Sequence, residues 1–307
     1  MQTMPSGIDI ITIYGPTASG KTSIAVQLAE MLGAVLFSGD SRQVYRGMDI
    51  GTGKDLSEYQ VGEYTVPYRM IDVAEAGEQY NLHRYMRDFY KTFDELPTET
   101  SKILCGGTGL YMTAVLGGYR MPKVPIDKEL RANLDALSLE ELQSKLVEAG
   151  GGLEHVDIHN RRRLVRAIEV ALAGEVDVEE RAPLRGPIFC VDVSREVRRE
   201  RISKRLRARL EAGMIEEVEK LLETVDSEAL IRYGLEYKFV TLYLQGKLSY
   251  EEMYLGLETA IHQFAKRQMT WARGMERNGF EIEYISPLGT PRETAEVMKE
   301  LIFNKYQ

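Results

Sequence analysis

Short apolar runs alternate along the chain with segments whose apolar residues recur every three to four positions. The first run, 8–14, is β-branched and apolar enough for a buried strand. Residues 23–32 follow at helical spacing, and Gly33 offers a stop. The alternation then repeats. Residues 34–38 read as a strand, 68–73 as a third, 81–96 as an amphipathic helix, 102–105 as a strand and 110–116 as a helix. The pattern changes at Gly117-Gly118. Residues 127–137 and 139–149 read as two short polar helices, and a glycine triplet separates them from a helix with a Leu164, Val165, Ile168, Leu172 stripe. The strand–helix pattern resumes at 188–193. Ser194 can cap an Arg-rich helix, 214–222 is amphipathic, 260–275 is a basic amphipathic helix, 280–285 a half-exposed strand and 291–306 a closing helix. Phe264 and Trp271, on the basic helix, read as core residues. The class is α/β: a parallel-sheet core flanked by helices over 1–120 and 186–307, with a helical insertion over 121–185.

Between the first strand and its helix lies Gly15-Pro16-Thr17-Ala18-Ser19-Gly20-Lys21-Thr22, which fits G-x-x-x-x-G-K-[ST] at every fixed position and makes the core P-loop NTPase-like. Glycines let such a loop curl so that backbone N–H groups point inward, and the helix N-terminus adds partial positive charge. Lys21 supplies a mobile cation and the Thr22 hydroxyl a magnesium ligand. The result is a socket for a diphosphate. It does not say whose phosphates sit there.

Two further features fall at strand ends, where open α/β sheets place ligands. Asp40 opens a long polar loop after the second strand and reads equally as a turn residue. Gly106-Gly107-Thr108-Gly109 forms a second strand–glycine-loop–helix, which brings the Thr108 hydroxyl to the same edge. Asp72 is a weaker magnesium candidate. These residues permit a small-molecule kinase, in which Asp40 activates an acceptor hydroxyl. They equally permit a transferase whose donor loses diphosphate, with a base for the nucleophile and donors on the bridging oxygen.

Composition narrows the partners only slightly. The chain has 307 residues and a net charge of −8, which argues against broad nucleic-acid coating but not against a local basic surface. Lys and Arg outnumber Asp and Glu from Asn160 to Leu210. Arg161, Arg162 and Arg163 crowd a helix start, where cations oppose the macrodipole and call for an anion: nucleic-acid phosphate, diphosphate or an acidic neighbour. Cys105 and Cys190 lie in apolar strands and read as buried thiols of a reducing compartment. His155 and His159 lack a third ligand for a metal. No apolar run is long enough for a membrane span, and the N-terminal residues lack a signal-peptide layout, so a cytoplasmic protein is expected.

The runs GPTASGKT, SGDSRQVYRGMDIGTGK, GGTGLY, RRRLVRAIEV and FAKRQMTW together resemble, in order and spacing, the tRNA dimethylallyltransferases (tRNA isopentenyltransferases) over nearly the whole chain. The second run is the most specific. The resemblance implies that dimethylallyl diphosphate occupies the loop from Gly15 to Thr22, and that the acceptor is the exocyclic amine of the adenosine 3′ to the anticodon of tRNA. It implies that Asp40 takes a proton from the amine, and that Thr108 and Arg205 (or Arg201, one turn earlier) bond the bridging oxygen. Lys21 and Mg2+ on Thr22 neutralise the phosphates. Asp40, Ser41, Arg42 and Gln43 meet the extruded base and its neighbours, while Arg161, Arg162, Arg163, Lys266 and Arg267 hold the anticodon stem-loop. A monomer is expected. One departure stands out: in Tyr233-Gly234-Leu235-Glu236-Tyr237-Lys238, Glu236 occupies a place where the family often has a cation. Related readings are an isopentenyltransferase acting on free adenylate and a P-loop kinase.

Overall fold

A computed structural model of the chain describes residues 5–118, 121–154, 156–176 and 178–306. His155, one half of the His155–His159 spacing, lies outside the described residues, as do residues 1–4 of the N-terminal reading. The chain divides into two compact units, Met1–Gly117 with Pro183–Gln307, and Gly118–Ala182; the expected insertion was 121–185.

The first unit is built on a six-stranded, all-parallel sheet among the described residues. Its strands are β1 (Ile11–Tyr14), β2 (Val35–Ser38), β3 (Tyr68–Arg69), β4 (Lys102–Gly106), β5 (Ile188–Val191) and β6 (Ile282–Ile285), in the order β6-β5-β1-β4-β2-β3. The helices, in chain order, are α1 (Lys21–Leu32), α2 (Leu82–Asp94), α3 (Gly109–Leu116), α4 (Lys128–Asp135), α5 (Leu139–Glu148), α6 (Arg161–Leu172), α7 (Arg195–Glu211), α8 (Met214–Leu222), α9 (Ser227–Tyr233), α10 (Leu235–Leu244), α11 (Tyr250–Arg277) and α12 (Pro291–Lys305). β1, β2, β4 and β5 are buried along their whole length. That burial explains why they read as continuous apolar runs rather than alternating ones. Ile13, Ile24, Leu28, Phe189, Met298 and Ile302 share one core cluster between the sheet, α1 and α12.

Register decides what the sheet presents. Tyr14 pairs with Gly106 and with Cys190, and Ser38 pairs with Cys105, so the loops after β1, β2, β4 and β5 leave one edge together. β4 lies between β1 and β2, which makes the loops that follow them spatial neighbours. Two glycines set the spacing. A Cβ on Gly106 would lie 2.4 Å from the carbonyl carbon of Gly39, so only hydrogen fits there. The Gly39 N–H donates to Cys105 O at 2.8 Å, and Gly39 O accepts from the Thr108 N–H at 3.3 Å.

The second unit packs its own core of Leu134, Leu142, Leu146, Leu164, Val165 and Ile168. Within it, buried Glu169 accepts from Arg131 Nε at 2.7 Å and from Arg166 Nη1 at 3.0 Å.

Most elements form where the hydropathy pattern places them, with ends moved by a few residues. The third strand is shorter than 68–73, because Met70 and Asp72 take φ of 65° and 54° and leave the extended region. α11 begins well before residue 260, at a capping box between Ser249 and Glu252. α9 and α10 escape the sequence reading; they are short and meet at Gly234. No helix among the described residues is long and apolar enough to cross a membrane.

Gly106→Ala would force backbone apart where the two loops touch, an overpacking cost of about 1–3 kcal/mol. We expect a lower urea midpoint for the main unfolding transition; an unchanged midpoint would show that the loops have slack.

Candidate active site

The P-loop takes its shape from backbone that few residues adopt. Gly20 (φ 87°) caps α1 in the left-handed region, and Ala18 (φ 63°) sits there too. Gly15 has no room for a side chain, since a Cβ would fall 2.7 Å from Val191 O at the end of β5. The Ser19 hydroxyl is buried within this loop and has no hydrogen-bond partner among the described residues. An orphaned hydroxyl in a cradle of N–H groups fits a ligand oxygen.

A cavity of about 540 Å³ opens over the loop, walled by Gly20, Lys21, Thr22, Glu58, Arg205 and Arg209. Arg205 Nη2 donates to the Thr17 hydroxyl, so α7 is pinned to the P-loop. Arg201, one turn earlier, is also near, with Nη1 3.9 Å from where a Gly20 Cβ would sit. Burial pushes the Lys21 pKa down, and burial followed by the neighbouring Arg209 pushes the Arg205 pKa down. Both cations are held under electrostatic stress that a bound polyanion relieves. In the same wall, burial and then Asp55 push the Glu58 carboxyl up. The Thr22 hydroxyl in this wall is an oxygen donor of the kind a hard divalent cation takes. The described residues hold no cluster of three His, Cys, Asp or Glu side chains able to bind a metal by themselves. Asp72, the weaker magnesium candidate, is engaged by Lys54 Nζ, which also binds Tyr45 O at 2.8 Å.

Asp40 and Thr108 meet through Ser41. The Ser41 N–H donates to Thr108 Oγ1 at 3.0 Å, and the Thr108 hydroxyl lies 3.3 Å from Ser41 Oγ. Asp40 Oδ1 accepts the Arg42 N–H at 3.0 Å and lies 3.7 Å from Arg42 Nε. The charge of Asp40 favours the protonated form of Lys21, against the effect of its burial. Arg42 extends to Glu236 Oε2 at 2.8 Å, and Arg209 approaches the other oxygen of Glu236 at 3.6 Å. Burial works against the Arg42 charge, but Glu236 and Asp40 outweigh it and raise its pKa. Glu236 is therefore a buried counter-ion for two site arginines, not an exposed contact in which a cation is missing.

A second cavity of about 560 Å³ is lined by Ser41, Arg42, Thr108, Tyr233, Phe264, Arg267 and Trp271. Trp271 is 39% exposed, which corrects its expected place in the core. Its ring lies over α3, where a Gly109 Cβ would fall 2.2 Å from Trp271 Cδ1. Phe264 is half-buried and carries the guanidinium groups of Arg42 and Arg267 at 5.5 and 5.8 Å. Burial pressure on aromatics is real, but a ring facing a cavity satisfies it only in part.

The remaining expected residues separate. Gln43 lines neither of these cavities; its side chain ties Ser38 Oγ (2.9 Å) to Gly53 O (3.5 Å). Lys266 and Arg267 diverge, Arg267 into the second cavity and Lys266 into a groove on the opposite flank of α11. In the second unit, Arg161 donates to Leu134 O (3.2 Å) and Asp135 O (3.3 Å), and Arg163 pairs with Asp157 at 3.5 Å. Carbonyls and an acidic neighbour thus answer the macrodipole argument for these two, while Arg162 is exposed.

Two residues were missed. Gln268 of α11 accepts the Thr17 N–H at Oε1 (2.8 Å) and donates from Nε2 to Gly107 O (2.8 Å); its own carbonyl takes the Tyr14 hydroxyl at 2.8 Å. It is the strut between the P-loop and the Thr108 loop. Glu217 of α8 accepts three consecutive loop N–H groups, from Asp49, Ile50 and Gly51, at 2.9, 2.7 and 3.0 Å. Gln268 sits inside the FAKRQMTW run, but nothing local marks it as facing two loops more than 150 residues upstream.

Comparison with known proteins agrees with this geometry. A family described as IPP transferase matches residues 43–275, and one described as isopentenyl transferase matches residues 8–63. The chain is 50% identical over 297 residues to tRNA dimethylallyltransferase 1 of Porphyromonas gingivalis, covering 95% of this chain and 98% of that protein. Among solved structures it is similar to the full-length tRNA isopentenylpyrophosphate transferase of Bacillus halodurans, with 28% identity, TM-score 0.69 and coverage of 96% and 97%. A eukaryotic dimethylallyltransferase acting on tRNA shares the fold at TM-score 0.75 and 20% identity, over 97% of this chain and 79% of that one. On the strength of the near-complete coverage at 50% identity, the chain belongs to the IPP transferase family, that of the tRNA dimethylallyltransferases.

Proposed function

We propose that this protein transfers the dimethylallyl group of dimethylallyl diphosphate to the exocyclic amine of the adenosine 3′ to the anticodon of tRNA. The observation that carries the reading is a pair of cavities. One lies over the P-loop, lined by Lys21, Arg205 and Arg209; the other is walled by aromatic rings together with Thr108, Ser41 and Arg42, the backbone N–H groups of the last two binding Thr108 and Asp40. A diphosphate fits the first and a planar base the second. The base reaches that cavity only by leaving the anticodon stack, at a cost in stacking that the aromatic wall offsets.

In this reading Asp40 accepts a proton from the amine, whose nitrogen forms a bond to the allylic carbon. The carbon–oxygen bond breaks, its electron pair stays on the bridging oxygen, and diphosphate departs whole. Thr108 and Arg205 donate to that oxygen, where negative charge develops. Lys21 and the P-loop N–H groups hold the outer phosphates. Mg2+ would rest on the Thr22 hydroxyl, diphosphate oxygens and water, and would supply charge neutralisation of the leaving group. Arg42, fixed between Glu236 and Asp40, orients the base. The two free, buried cysteines fit a reducing cytoplasm.

The test supplies radiolabelled dimethylallyl diphosphate and magnesium with unmodified tRNA, with AMP, or with neither. Label entering tRNA and not AMP is the expected result. Label in AMP alone would assign the free-adenylate reaction, and ATP consumption without prenyl transfer would assign a kinase. A second expectation concerns the strut. Gln268→Met keeps the volume but leaves the Thr17 N–H and Gly107 O without this partner, so the P-loop and Thr108 drift out of register. Misplacement of this kind costs up to about 100-fold in rate. We expect kcat to fall about 10- to 100-fold in steady-state transfer; a change under about twofold would show that the strut is dispensable.

A further inference from the structure

We propose that the groove between α7 and α11 binds the phosphate backbone of the RNA acceptor, a few nucleotides away from the reacting adenosine. The inference rests on the reading that the acceptor is RNA. The groove has a volume of about 470 Å³ and is lined by Arg195, Arg198 and Arg199 from α7 and by His262, Lys266 and Arg273 from α11. Its carboxylate, Asp192, is already matched by Arg198 Nη1 at 2.8 Å. Arg195, Arg199, Lys266 and Arg273 are exposed and have no carboxylate partner among the described residues. In a chain of net charge −8, four unmatched cations in one groove are a local inversion of the field. Burial and the Arg199 charge push the His262 pKa down, against the pull of Glu258.

The groove's place on α11 favours nucleic acid over an acidic protein. Successive helical residues point about 100° apart, so Lys266 and Arg267 leave opposite flanks of the same turn. Arg267, with Phe264 and Trp271, faces the cavity assigned to the extruded base, while Lys266 and Arg273 face the groove. A helix is about 10–12 Å across. A strand whose base enters the cavity therefore crosses the crest of α11 and lays its next phosphates along Lys266, Arg273 and Arg199. Ile202, Ala265 and Met269 form the floor, which carries no competing charge. One helix thus separates base recognition from backbone recognition.

The test measures binding and transfer separately. Affinity of a fluorescent anticodon stem-loop is followed against salt for the wild type and for the double variant Arg199→Ala/Arg273→Ala. Two lost phosphate contacts make the slope of log K against log salt shallower by about 1–2, and should weaken binding about tenfold near physiological salt. The charge-conserving Arg199→Lys/Arg273→Lys variant should recover most of the slope, which a merely structural role would not produce. The preference for the stem-loop over an adenosine-centred trinucleotide, too short to cross α11, should shrink in the alanine variant. An unchanged slope and preference in a folded variant would overturn the groove while leaving label transfer to RNA intact. Failure of transfer to any RNA, with the slope still reduced, would overturn the functional reading instead.

Discussion

Backbone contact between Gly39 and Gly106 is the constraint on which the site depends. β2 and β4 are neighbours in the sheet, but their loops carry different chemistry, a carboxylate at Asp40 and a hydroxyl at Thr108. Only hydrogen on the Gly106 α-carbon lets the loops touch, and Gly39 is closed to a side chain by Met112 behind it; with the loops in contact the Ser41 N–H reaches Thr108 Oγ1. Gln268 adds the third loop by bonding Thr17 and Gly107 at once. Three loops from three adjacent strands are thereby fixed relative to one another before any substrate arrives. Such preorganisation matters most where charge develops in the transition state, since groups already in place need not reorganise.

Electrostatics completes the arrangement. Lys21, Arg42, Arg205 and Arg209 gather at one sheet edge, with Asp40 and Glu236 as their carboxylate partners. Glu58 and Asp55 share the wall of the P-loop cavity with Lys21, Arg205 and Arg209. Glu236 takes up the charge of Arg42 and Arg209 on the inner side, leaving Arg205 and Lys21 turned toward the cavity. Removing one partner of such a buried pair leaves an uncompensated charge, so Glu236, Arg42 and Asp40 form one unit.

The sheet, the P-loop and the second glycine loop were legible because their signals are local. A β-branched run, a glycine-bearing turn and a helical stripe lie within about 25 residues of one another. The resemblance, carried above all by the loop from Ser38 to Lys54, supplied the chemistry that composition left open between a kinase and a diphosphate-releasing transferase. What stayed hidden was non-local. Glu236 looked like a misplaced acid until Arg42, far upstream, was seen beside it. Trp271 followed the rule that large aromatics pack inside, whereas here α3 and a glycine hold it at a cavity mouth. The anions that answer Arg161 and Arg163 at the start of α6, α4's last carbonyls and Asp157, were equally out of sight. Periodicity predicts which face of a helix is apolar, but not which distant loop that face will meet.

The central claim is that the bond broken beside the P-loop is carbon–oxygen, with the diphosphate leaving intact. Dimethylallyl diphosphate carrying ¹⁸O at the oxygen that joins carbon to phosphorus tests it most directly. After turnover on tRNA, mass spectrometry of the released phosphates locates the isotope. The account predicts diphosphate that retains the ¹⁸O, formed one for one with prenylated RNA. Isotope recovered in dimethylallyl alcohol, with phosphoryl groups transferred elsewhere, would contradict it.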